Sequence, residues 1–235
     1  MSRSLVLVVL GGCALAAGCD QTAIGEPKLA EKIKAAQARM HQRYAASQEV
    51  LRAITFGELA AAQKAAGTIA ELEEPSVLAQ WKPYLAAVRT AATEIVDAPD
   101  ISAAARGLAT LGNSCARCHD AAHARIVLRS PPAPRGDGKV AGEMASHAWS
   151  TARMWDGLIA SAPAPWMEGA KTLEHAKLTI VAEGGPFATG ISDDIARVRL
   201  YASRAQRATT RDERARVFGE LLQNCAGCHA TIRGP

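Results

Sequence analysis

Two short stretches of the chain carry residue types that bind metals and react with electrophiles. The sequence Cys-x-x-Cys-His occurs twice, with its first cysteines 110 residues apart, as Cys115, Cys118 and His119 and again as Cys225, Cys228 and His229. On a helix, cysteines three apart share a face, and a histidine four residues after the first cysteine lies on the same side. Each motif therefore places two thiols and one imidazole where they can act together.

Three kinds of site use paired cysteines, and the spacing separates them. A zinc site built from both pairs commonly needs them about 15 to 20 residues apart, whereas 110 residues separate them here. A thioredoxin-like dithiol belongs to a βαβ context, and no segment shows the period-two alternation of a strand. Cys-x-x-Cys-His is the attachment sequence of c-type haem, in which both thiols bond one porphyrin and the histidine reaches the iron. The sequence predicts two covalently bound haem c groups, with His119 and His229 as proximal iron ligands.

The sequence leading into each motif is also repeated. Counted back from the first cysteine, matching residue types recur at three positions, in the pairs Arg106 and Arg216, Leu108 and Phe218, and Leu111 and Leu221. The sequence therefore contains the same pattern of residues on one helical face twice. A period this long indicates two copies of one domain rather than a solenoid.

A segment rich in proline and glycine sets the predicted domain boundaries. Residues 130–138 contain three prolines and two glycines and cannot continue a helix. We expect a linker here, between a first haem-binding domain over residues 20–129, with its core from about residue 27, and a second over residues 139–235.

Hydrophobic periodicity and its breaks predict four helices in each copy. The expected spans are 27–54, 58–72, 81–96 and 101–128 in the first copy, and 140–160, 166–182, 191–208 and 211–230 in the second. Thr210 followed by Glu213 is typical of a capping box, which would start the last helix. The predicted fold is all-α: two tandem four-helix bundles, each with its Cys-x-x-Cys-His motif on the last helix.

An attachment motif on the last helix of an alanine-rich bundle resembles class II cytochromes c, the cytochrome c-prime group and its low-spin relatives. The resemblance implies that the residue facing the open side of the iron lies on the first helix. In that family a methionine there gives a six-coordinate low-spin carrier, and an apolar residue leaves a site for gases. Met40 and Met144 hold matching early positions in the two copies and are the expected sixth ligands, with His41 and His147 as alternatives. The short tail after His229 contains neither methionine nor histidine, so the second copy's sixth ligand must also come from upstream.

The same resemblance implies a basic side chain near a haem propionate, four residues after each motif histidine. His123 and Arg233 occupy those positions, and His123 departs from the pattern because its charge depends on pH. Two haems bring about four carboxylates, which would offset the formal net charge of +4.

The N-terminus has the form of an export signal. Residues 1–19 combine a positive start, an apolar stretch too short to anchor stably in a bilayer, and small residues before Cys19. The letters AAGC ending at Cys19 resemble a bacterial lipobox, so lipidated Cys19 is the expected membrane anchor. Cys13, at the end of LGGC, is the alternative site, and ordinary cleavage to a free soluble protein is the other outcome left open.

These features predict an exported, periplasmic dihaem cytochrome, anchored as a lipoprotein. It would pass single electrons between redox partner proteins in the periplasm or at the membrane, rather than act as an enzyme. A gas-binding or peroxide-handling haem protein with an open iron site is the alternative, and a redox subunit of a larger complex is a third. A net charge of +4 without a long basic run argues against a nucleic-acid partner. The sequence does not indicate an oligomeric state.

Overall fold

The computed structural model describes residues 26–74, 78–124, 126–134, 139–176 and 188–233, and the side chains of all of these except 26–30, 188–190 and 233. The described residues form eight α-helices and one 3-10 turn, with no strand among them. The all-α prediction is therefore confirmed. The helices are α1 (Glu26–Thr55), α2 (Leu59–Glu71), α3 (Lys82–Val96), α4 (Ile101–Ala121), α5 (Val140–Ile159), α6 (Pro163–His175), α7 (Ala188–Arg207) and α8 (Arg211–Arg233).

Side chains at two helix starts satisfy backbone amides that the helix itself leaves unpaired. At α4, Ala103 N donates to Asp100 Oδ1 at 2.7 Å. At α8, Thr210 N donates to Glu213 Oε2 at 3.0 Å, while Glu213 N donates to Thr210 Oγ1 at 3.2 Å. The predicted capping box is confirmed, and it fixes the start of a helix that carries one of the two motifs.

Helix α4 ends earlier than the sequence predicted, at Ala121 rather than near Leu128. His123 adopts a φ of 50°, in the left-handed region. Ala124 N then donates back to His119 O at 2.9 Å, as in a Schellman helix end. The prediction was wrong because apolar periodicity continues past this turn, and a left-handed histidine leaves no mark in the composition.

Helix α6 differs from its predicted span of 166–182 at both ends. It begins at Pro163, because a proline in the first turn lacks only an N–H that would be unpaired there anyway. It ends at His175, where Ala176 turns to an extended conformation. The rest of the predicted span, residues 177–182, lies outside the described residues. The remaining bounds agree with the predictions to within three residues, apart from the end of α4.

The two copies share one apolar core. Helices pack onto their sequence neighbours within each copy, and α4 also packs along α8. Small residues allow this crossing: a Cβ added to Gly219 on α8 would lie 3.3 Å from the Cβ of Ala109 on α4. Gly112 on α4 lets α5 approach as well, since an added Cβ would lie 2.7 Å from Cζ3 of Trp155. The motif-bearing helices thus meet at the centre of the molecule.

The first part of the predicted linker is tied to α5. Trp149 Nε1 donates to Pro131 O at 2.7 Å, and Ser130 Oγ donates to Asp156 Oδ2 at 2.9 Å. Tyr44 Oη, from α1, donates to the other oxygen of the same carboxylate at 2.9 Å. The buried Asp156 therefore joins the first helix of each copy to the segment between them.

Candidate functional site

Both Cys-x-x-Cys-His motifs lie near the C-terminal ends of their helices, α4 and α8. From the first cysteine to the histidine, the pattern of burial is the same in both copies. The two cysteines and the histidine are partly buried, the residue after the first cysteine is buried, and the next is exposed. The repeat in the sequence is therefore accompanied by the same pattern of side-chain burial at both motifs.

The four motif cysteines are free and their thiols are neutral near pH 7. Burial, with a smaller contribution from Cys118, raises the pKa of Cys115 to about 12. Burial raises the pKa of Cys225 to about 12 in the same way, and it also raises the pKa values of Cys118 and Cys228. Burial therefore keeps the thiols protonated in the protein without a bound group.

A cavity of about 710 Å³ lies between α1 and α4, against the first motif. This volume falls within the usual range for small-molecule and cofactor sites, about 300 to 1,000 Å³. Cys115, Cys118 and His119 line it from α4, and Met40 and His41 line it from α1. Its remaining walls include apolar side chains of α3, of the segment after α4 and of α5, among them Leu85, Val88, Ile126, Leu128, Trp155 and Ile159.

Arg43 is a buried cation at the edge of this cavity, only 6% exposed. Its Nη1 donates to Glu74 Oε1, but Nε and Nη2 are buried without a hydrogen-bond partner. Leaving buried donors of a charged group unpaired is costly, on the order of 1 to 3 kcal/mol or more. An anionic group entering the cavity would find two unpaired donor nitrogens already in place.

Each motif histidine is bonded to a backbone carbonyl of the other copy. His119 Nδ1 lies 2.8 Å from Ile159 O, at the end of α5, and His229 Nδ1 lies 2.7 Å from Thr55 O, at the end of α1. A carbonyl can only accept, so Nδ1 is the protonated nitrogen in both rings. With Nδ1 protonated, Nε2 is the nitrogen of each ring that carries the lone pair with which an imidazole binds a metal.

The two carbonyls occupy equivalent places, because α1 and α5 end in the same way. Gly57 and Ser161, each two residues after the helix end, have positive φ values of 69° and 50°. In both cases the next amide donates, at 2.8 or 2.9 Å, to the carbonyl five residues earlier. The helix ends therefore supply an alignment of the two copies that is independent of the motifs.

The surroundings of the two motif histidines differ at one equivalent position. Phe56, directly after α1, stacks on the ring of His229 with centroids 4.9 Å apart and planes inclined by 16°. The residue directly after α5 is Ala160, which has no ring to stack on His119. An aromatic side chain thus covers one motif imidazole through a contact that the other site lacks.

The predicted sixth ligands are aligned by the helix ends. Met40 and Met144 both lie 15 residues before the last residue of their helices. Met40 is partly buried and lines the first cavity, as does the more exposed His41. Met144 is also partly buried. Three residues further on, and so on the same helix face, stand Arg43 and His147.

His147 has a buried ring nitrogen, Nε2, without a hydrogen-bond partner. Burial lowers the pKa of His147 to about 4; His229 and Arg199 lower it further, while Glu143 opposes them. The ring is therefore neutral near pH 7. Arg43, the equivalent residue of α1, lines the cavity at the first motif, so the alignment of the helix ends assigns His147 the corresponding place at the second motif.

Other predicted site residues are not brought to the cavity or are not described. His123 is exposed and is not among the residues that line the first cavity. The side chain of Arg233, as well as Cys13 and Cys19, lies outside the described residues.

Sequence reasoning missed Arg43 and the two helix-end carbonyls. Arg43 did leave a signal, since it lies on the same helix face as Met40, one turn later. The two carbonyls left no signal in the sequence, because every residue has a backbone carbonyl.

No protein-family model, curated protein or solved structure matches this chain. Within the described residues, no three histidine, cysteine or carboxylate side chains form a group able to hold a metal ion. No helix of the described segments is both long enough and apolar enough to cross a membrane.

Proposed function

We propose that the protein is an exported dihaem c-type cytochrome that transfers single electrons. The observation that carries this proposal is the cavity of about 710 Å³ that opens onto Cys115, Cys118 and His119 and has Met40 on the helix across it. Two thiols and one imidazole on one wall, with a thioether on another, form the donor set of a His/Met c-type haem. The repeat of the motif and its burial in the second copy extends the proposal to a second haem.

The motif cysteines suit covalent attachment because all four are free rather than joined in disulfides. The cysteines of each motif would hold one porphyrin through two thioether bonds, each formed by addition of an S–H group to a vinyl group. No group leaves, and no external oxidant is required. Haem c supplies, when bound, an iron that takes up and releases one electron.

The chain's own residues orient and neutralise the cofactor. The bond from His119 Nδ1 to Ile159 O holds the ring with Nε2 free for iron. Arg43 Nε and Nη2 are suited to donate to a propionate, while Glu74 holds the guanidinium in place. The propionate contacts predicted for His123 and Arg233 stay predictions.

The finer organisation belongs to the same proposal. We infer two four-helix units, α1 to α4 and α5 to α8, each ending in its own haem motif, with export through the N-terminal signal and lipidation at Cys19. Redox proteins of the periplasm or membrane would be the partners. The shared core supports electron exchange between the haems, since it places the two motif-bearing helices side by side.

The test is expression of the full chain in a host that matures c-type cytochromes. We expect intact mass spectrometry to show two haems per chain, and optical spectra to show low-spin haem in both oxidation states. Replacing Cys115 and Cys118 with Ala, or Cys225 and Cys228 with Ala, should each remove one haem and spare the other. A product of bare polypeptide would refute the proposal, whereas high-spin spectra with carbon monoxide binding at both irons would favour the gas-binding alternative.

A further inference from the structure

The two halves differ in chemistry at one equivalent position on their first helices. Arg43 and His147 both lie three residues after the aligned methionine, counted from equivalent helix ends. Each carries buried polar atoms without a hydrogen-bond partner: Nε and Nη2 in Arg43, and Nε2 in His147. The same place in the fold thus holds a cation without a free lone pair in one half and an imidazole in the other.

The unpaired imidazole nitrogen requires a partner more than the neighbouring methionine does. A buried nitrogen without a hydrogen bond costs on the order of 1 to 3 kcal/mol. A methionine thioether loses little when it packs among apolar groups, so Met144 needs no ligand role to account for its partial burial. The residue equivalent to His147, Arg43, lines the cavity at the first motif, so His147 holds the corresponding place on the first helix of the second half.

We propose that His147 Nε2, rather than Met144, is the sixth ligand of the iron held by His229. In the first half the equivalent Arg43 cannot ligate, and Met40 takes that role. The molecule would then contain one His/Met haem and one bis-histidine haem. This inference rests on the proposed function, since it concerns how the second haem is held.

Two unlike haems would give electron transfer a direction. A methionine ligand raises the reduction potential of a c-type haem, so the first haem would be the better acceptor and the second the better donor. An electron entering at the second haem would pass to the first. A difference at one equivalent position, Arg43 in the first half and His147 in the second, would be enough to create this asymmetry.

The decisive measurement is the number of sulfur-ligated irons in the oxidised holoprotein, from the far-red iron–sulfur charge-transfer band and from electron paramagnetic resonance. We expect one methionine-ligated and one bis-histidine haem in the natural protein. His147→Met should double the charge-transfer band and raise the potential of the second haem. Met144→Leu, the matched control, should leave both signals unchanged.

His147→Leu should make the second haem high-spin and able to bind carbon monoxide, with the first haem unaffected. Two sulfur-ligated irons in the natural protein would overturn the inference and leave the proposed function intact. So would loss of one low-spin signal in Met144→Leu. Absence of covalent haem would overturn both.

Discussion

Under the proposed function, Met40 is the α1 side chain expected to complete the coordination of the first iron. The cavity offers one imidazole, from His119, on the α4 wall. Met40 and His41 both line the cavity from α1, but Met40 is partly buried whereas His41 is exposed. If the proposed haem is bound there, the Met40 thioether would make the difference between a six-coordinate iron and an open one.

Met40→Ala should convert the first haem from low-spin to high-spin, because the more exposed His41, although it also lines the cavity, would have to turn inward to replace the thioether. Carbon monoxide should then bind to half of the haem. Optical and electron paramagnetic resonance spectra measure both changes. Met167→Ala, at a partly exposed methionine of α6, is the control and should change neither. An unchanged spectrum in Met40→Ala would show that the ligand assignment is wrong.

The start of α8 shows how a local signal stabilises an element that carries a site. Glu213 accepts from Thr209 N at 2.9 Å and Thr210 N at 3.0 Å. These backbone hydrogen bonds lower the pKa of Glu213 from 4.5 to about 2. Because the folded-state pKa is the lower one, this stabilisation is present above about pH 4.5 and is lost as the pH falls toward 2.

Glu213→Gln should therefore lower the melting temperature near neutral pH, because it removes the charge that the amides stabilise. The difference from the natural protein should shrink as the pH falls through the interval from about 4.5 to about 2. Thermal unfolding followed by circular dichroism across this interval measures the effect. Thr210→Ala should cost about 1 kcal/mol by loss of the N-cap. A Glu213→Gln difference that is constant with pH would contradict the assignment.

Close helix contacts at glycine are a second element-scale feature. A Cβ on Gly157 of α5 would meet the backbone of Trp166, with its Cα at 2.7 Å. By contrast, a Cβ on Gly67 of α2 would have a single neighbour, Glu71 Oε1, at 4.0 Å. One glycine is needed for packing, and the other is only a flexible residue within a helix.

Gly157→Ala should destabilise the protein by about 1 to 3 kcal/mol, because backbone atoms cannot move aside as a flexible side chain can. Gly67→Ala should instead stabilise it by roughly 0.5 to 1 kcal/mol, since alanine is the better helix former. Denaturant unfolding of both variants gives the two signs. Equal effects would show that α5 and α6 do not approach as closely as described.

At the scale of the whole molecule, each half completes the other's motif. Thr55 O and Ile159 O accept from the histidines of the opposite copies, and Phe56 of the first half covers His229 of the second. A mutation in one half should therefore change the properties of the haem that we propose for the other half.

Phe56→Ala should lower the reduction potential of the second haem. Removing the stacked ring admits water to the proximal histidine, and water favours the more highly charged oxidised state. A spectroelectrochemical titration resolves the two haems, and the first serves as the internal control. A shift confined to the first haem would contradict the contact across the halves.

Much of this protein follows from local sequence. The Cys-x-x-Cys-His spacing and the capping pair Thr210 and Glu213 act within one helix turn, so their meaning does not depend on distant residues. The all-α class and most helix bounds follow from periodicity in the same way. The predicted end of α4 was wrong because the helix end depends on the backbone angle φ of His123, which the type of side chain does not fix.

The sequence by itself determined the two motifs, the repeat and the methionines at matching positions, because these are side-chain types at fixed separations along the chain. Only the tertiary structure decided that His119 and His229 bond to carbonyls of the opposite copies, and that Arg43 and His147 hold buried, unpaired nitrogens. Backbone carbonyls are the same at every residue, and burial depends on how distant helices pack. Those features therefore exist only once the two copies have folded against each other.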